Sequence, residues 1–159
     1  MDELKPPVTI QFSRTVHSFL TRSVKTTAFN FSSLTENILL IQAINSRYRF
    51  SLAFVELPFV DIPKVIQALA EMYRSLEQKL RDTQTATIEL SIFSVAKLRN
   101  RVISKAIKFS KKSISTTVLH VKNSRNYTTP GYLAFPTVDI PYIIQALIDF
   151  YNAFENLPK

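Results

Sequence analysis

FVDIPKVIQAL (59–69) and TVDIPYIIQAL (137–147) are nearly the same phrase, written twice in one chain 78 positions apart. A recurring helix start would explain the phrase alone, but the likeness extends along the whole chain at that offset. Residues 8–81 then align with 86–159 without a gap, and 22 of the 74 aligned positions are identical. Thr9-Ile10 meets Thr87-Ile88, Ser13 meets Ser91, and Phe31-Ser32 meets Phe109-Ser110. Asn45-Ser46-Arg47 meets Asn123-Ser124-Arg125, and Pro58 meets Pro136. Identity spread over the full length is the mark of a duplicated module. Two copies are too few for a solenoid, and the expectation is an intramolecular pseudo-twofold dimer.

Within each copy, the shared phrase opens a helix. Ile62, Val65, Ile66, Leu69, Met72, Tyr73, Leu76 and Leu80 recur at spacings of three and four, as do Ile140, Ile143, Ile144, Leu147, Phe150, Tyr151 and Phe154. Pro63 and Pro141 suit a first helical turn, and Asp61 and Asp139 stand where a side-chain cap would be expected. The Asp is read as structural, not catalytic.

The first two thirds of each copy read as strands, rich in β-branched and aromatic residues: 9–18, 23–32, 37–45 and 47–57, then 87–96, 101–110, 116–123 and 126–135. Polar turns are expected at SSLTE (32–36) and SKKSIS (110–115), and Pro130 marks the last strand as an edge or bulged strand. The expected fold class is α+β, with two tandem β-β-β-β-α repeats (8–81 and 86–159) in one intimate pair. Each antiparallel sheet has one face covered by helix and the other left to solvent or a partner.

Composition removes several functions. The chain has no cysteine, which excludes disulfides and thiolate metal sites. Its single glycine, Gly131, excludes glycine-rich phosphate loops. His17 and His120 align with Val95 and Gln42, so neither belongs to a duplicated site. No metal-ligand spacing or paired carboxylates stand out, and neither an enzyme nor a cofactor is expected. MDELKPP lacks the basic-then-apolar order of a signal peptide, and NILLIQAI (37–44) is too short to span a bilayer. The expected setting is intracellular, in cytoplasm, nucleoid or nucleus, with no membrane partner.

The net charge of +8 is unevenly placed. Residues 8–58 carry Arg14, Arg22, Lys25, Arg47 and Arg49 against Glu36 and Glu56. Residues 86–136 carry Lys97, Arg99, Arg101, Lys105, Lys108, Lys111, Lys112, Lys122 and Arg125 against Glu89 alone. A strand region this basic is what a polyanion-binding face requires. Rings on or beside the strands, namely Phe19, Phe29, Tyr48, Phe93, Tyr127 and Tyr132, are candidates for stacking on bases. The expected nucleic-acid contacts are Lys97, Arg99, Arg101, Lys105, Lys108, Lys111 and Lys112, with Arg14, Arg22, Lys25, Arg47, Arg49, Arg125, Tyr48 and Tyr127.

A duplicated β-β-β-β-α unit with a basic sheet resembles the PUR-repeat proteins. It is also similar in topology to the Whirly proteins and to transcriptional coactivators with a single-strand-binding C-terminal domain. The resemblance spans nearly the whole chain and rests on element order, duplication and charge; the Whirly-type KGKAAL phrase is absent. It implies binding of single-stranded DNA or RNA without catalysis. A protein-interaction or oligomerisation module is the alternative, and dimerisation between two chains stays open.

Overall fold

The strand-rich stretches form two antiparallel sheets, and the two repeated phrases open two helices, so the fold is α+β. The computed structural model describes residues 5–17, 25–45, 54–77, 85–95, 103–113, 115–123 and 132–157. The first sheet runs in the order β1 (Val8–His17), β2 (Lys25–Ser33), β3 (Ile38–Asn45), β4 (Phe54–Pro58). The second runs β5 (Thr85–Val95), β6 (Ile103–Ser113), β7 (Thr116–Asn123), β8 (Tyr132–Pro136). Helix α1 (Ile62–Glu77) follows the first sheet and α2 (Ile140–Glu155) the second. Among the described residues, no helix is long and apolar enough to cross a membrane.

The side-chain alternation of a strand explains which face each sheet buries. Phe29 and Phe31 of β2, Leu39, Ile41 and Ala43 of β3, and Val55 and Leu57 of β4 are all buried. Between them, Asn30, Ser32, Leu40, Gln42 and Ile44 are only half-buried. In the second sheet Ile107, Phe109, Thr117, Leu119, Leu133 and Phe135 face the core. One continuous apolar cluster joins these residues to Ile62, Val65, Leu69 and Met72 of α1 and Ile140, Ile143, Leu147 and Phe150 of α2. Aromatic contacts cross between the two halves: Phe29 meets Phe135 edge-on at 5.6 Å, and Phe59 stacks on Phe154 at 5.0 Å. The helices pack on one another, β1 runs beside β8, and β4 beside β5.

Three expectations change. The stretch 110–115 is not a six-residue turn: β6 continues to Ser113, which pairs with Thr116. It contains no Gly, Pro, Asn or Asp to end the ladder, so only Ile114 and Ser115 lie between the strands. Phe29 is no stacking platform, because it is 2% exposed and packs edge-on against Phe12, Phe31 and Phe135. The third change concerns the helix starts. A 3-10 turn, Phe59–Asp61 or Thr137–Asp139, precedes each helix, and the Asp139 side chain makes no cap hydrogen bond.

Asp139 is buried and reaches across to the first strand instead. Its Oδ2 accepts the Ser13 backbone N–H at 2.9 Å and the Ser13 hydroxyl at 3.2 Å. Ser13 lies where the β1–β2 register shifts, between Gln11 and Val16, so its N–H needs an acceptor outside the ladder. Asp61, its counterpart at the offset of 78, is also fully buried and pairs with the Lys64 ammonium at 3.5 Å. Pro130 and the first residues expected in the fourth strands lie outside the described residues. β4 and β8 are each the last strand of their sheet.

Candidate nucleic-acid interface

Lys108 of β6 stands between two buried core residues, Ile107 and Phe109, and is therefore carried to the face of the second sheet away from the core. Its cross-strand neighbours are Thr87 on β5 and His120 on β7, and His120 in turn pairs with Tyr132 on β8. Thr87, Lys108, His120 and Tyr132 thus form one transverse row over four strands. His120 is exposed and Lys108 half-buried. The next register positions are Ala106 and Lys122, paired across β6 and β7.

The opposite end of this face is closed. Val118 and Ala134 also point away from the core, yet both are buried, because Val16 of β1 packs on them with Phe12 alongside. The same passage of β1 places Arg14. This exposed guanidinium donates to the Ser115 carbonyl and to the Thr116 hydroxyl, the latter at 3.0 Å. Arg14 therefore stands at the start of β7, next to the strand end that holds Lys111 and Lys112: Lys111 pairs with Thr117, and Lys112 falls in the shift before Ser113. By register Lys111, opposite the buried Thr117, takes a core-side position, so the cations expected at this end do not all share the outer face.

Lys105 falls in the register shift between Ser104 and Ala106, and Lys25 pairs with His17 at the end of the β1–β2 ladder. Lys97, Arg99, Arg101, Arg22, Arg47, Arg49, Arg125, Tyr48, Tyr127 and Phe19 lie outside the described residues. Phe93 lies in β5 within the shift between Glu89 and Ser94.

Sequence reasoning passed over His120, treating it only as a histidine without a counterpart. The signal was present in the alignment itself, where Asn30, Gln42 and Phe54 meet Lys108, His120 and Tyr132. Among the described residues, one ionisable group departs from its ordinary range: a hydrogen bond to Glu155 raises the Tyr151 hydroxyl, with burial and the carboxylate charge acting the same way. It belongs to α2, which packs on the core and not on this face.

The row offers what a polyanion contact needs: a cation, an exposed imidazole able to donate or to stack, and a tyrosine position, spaced by about 5 Å from strand to strand. No family model matches the chain, and no curated protein matches it.

Proposed function

We propose that the protein binds single-stranded DNA or RNA, without catalysis, on the outer face of its second sheet. The observation that carries this reading is the Lys108–His120 row on that outer face, with His120 exposed and Lys108 half-buried. Cations aligned along a sheet neutralise phosphates, and flat rings beside them accept bases. The helices do not offer a duplex-reading element, because their apolar stripes are committed to the core.

This reading includes the architecture. The two β-β-β-β-α units are a tandem duplication closed into an internal twofold pair. In support, Asp139 and Asp61 are both buried at equivalent places, and the core draws on both sheets and both helices. Halves separated near Asp82-Thr83 should each be unstable as monomers; two independently folded monomeric halves would contradict the pairing.

The function is tested by titrating labelled single-stranded oligonucleotides at several salt concentrations. Binding should weaken with salt, with a slope of log K against log salt near −3.5 if about five phosphates are engaged. Lys108→Ala should flatten that slope by about 0.7, the share of one phosphate contact on a single strand. Equal or tighter binding to duplex would defeat the single-strand reading, and no binding at low salt would favour the protein-interaction reading.

A further inference from the structure

The first sheet has a transverse row equivalent to Thr87–Lys108–His120–Tyr132, and its chemistry is different. Thr9 pairs with Asn30, Asn30 with Gln42, and Gln42 with Phe54. Asn30 and Gln42 each sit between buried core residues, so both carboxamides stand on the outer face, half-buried, as is Phe54. The Thr9 hydroxyl donates to Asn30 Oδ1 at 3.1 Å, which orients that amide. Around the row lie the half-buried Ile38, Leu40 and Ile44 and the buried Glu56. No lysine or arginine occupies an outer position among the described residues of β3 and β4.

These two strands offer phosphate no cation there, and their side chains suit bases. A carboxamide offers a donor and an acceptor side by side, the pattern that matches N6 and N7 of adenine, and a phenyl ring stacks on any base. We infer that the outer face of the first sheet is a base-reading subsite for single-stranded nucleic acid, in which Asn30 and Gln42 hydrogen-bond base edges and Phe54 stacks. This rests on the nucleic-acid reading above and divides the work: the second sheet holds the phosphate backbone and the first discriminates the bases.

The test is the ratio of affinities of the full chain for labelled oligo-dA and oligo-dT, measured at two salt concentrations. The wild type should prefer oligo-dA, and Gln42→Ala should reduce that ratio by about tenfold, the loss expected of one bidentate amide–base pair. The salt slope should stay unchanged. Asn30→Lys, which installs the residue found at the equivalent place in the second sheet, should abolish the preference and steepen the slope by about 0.7. Gln42→Glu should move the preference toward oligo-dC, since a carboxylate accepts from the cytosine amine; loss of packing alone would not produce that shift. A folded wild type that binds all homopolymers equally, or variants that keep the wild-type ratio, would overturn the subsite while leaving the nucleic-acid reading standing. A wild type that binds none of them would overturn both.

Discussion

The two sheets are alike on the faces they bury and unlike on the faces they show. Inside, Phe31 answers Phe109, Ile41 answers Leu119, Val55 answers Leu133 and Leu69 answers Leu147, all buried. Outside, Asn30 and Gln42 on one sheet stand where Lys108 and His120 stand on the other. Packing tolerates little change of volume or polarity in a shared core, whereas an open face is free to change chemistry. One inner pair departs from this pattern. Leu39 and Phe59 of the first half are Thr117 and Thr137 in the second, and the two hydroxyls hydrogen-bond at 2.8 Å. Each threonine is the other's partner, so neither hydroxyl is buried unsatisfied.

The comparison breaks most visibly if the inner faces are not equivalent. Leu69→Ala and Leu147→Ala should each destabilise the fold by about 2–5 kcal/mol in denaturant unfolding, by similar amounts. A pair in which one variant is severe and the other near neutral would show that a single half carries the core. Next in size is Asp139→Ala, expected to cost about 1.5–3 kcal/mol because it strands the Ser13 N–H as well as removing a charge-assisted bond. Ser13→Ala, which keeps the N–H, should cost less. Equal effects would place the whole interaction in the hydroxyl.

A smaller effect sharpens the threonine exception. Thr117→Val should cost about 1–2 kcal/mol by leaving the Thr137 hydroxyl unpaired, and Thr117→Val with Thr137→Val should recover most of it. Additive losses would mean that each hydroxyl has another partner. Smallest is Arg14→Ala, an exposed side chain whose removal should lower stability by less than about 1 kcal/mol. If Arg14 also meets phosphate, the same variant should flatten the salt slope by about 0.7; an unchanged slope would assign the guanidinium solely to holding β1 against β7.

Local signals were legible wherever one element determines its own form. The 3.6-residue stripe places both helices from Ile62 and Ile140, and the β-branched runs place the first three strands of each sheet to within three residues; the starts expected for the fourth strands lie outside the described residues. What escaped was long-range. Asp139 looked like a cap because a cap is a local solution, while its partner Ser13 lies 126 residues away. Strand faces were hard to assign by parity because register shifts at Gln11/Val16, Ser104/Ala106 and Lys111/Ser113 reset the alternation. Phe29 is, by sequence, a ring on a strand, and only the packing of β1 and β8 around it encloses it.

The bond between Ser13 and Asp139 also bears on the order in which the chain can be assembled. During synthesis the first strand emerges early, yet the acceptor for its bulged N–H arrives with the last helix. Until then β1 has only β2 beside it, and its free edge lacks β8. A nascent chain stalled before residue 132 therefore exposes a strand edge that β8 lies beside in the finished protein, the kind of edge that invites pairing with other chains. Closing a contact of such sequence separation is slow relative to forming either helix, so docking of the N-terminal strand is expected to be among the last events of folding.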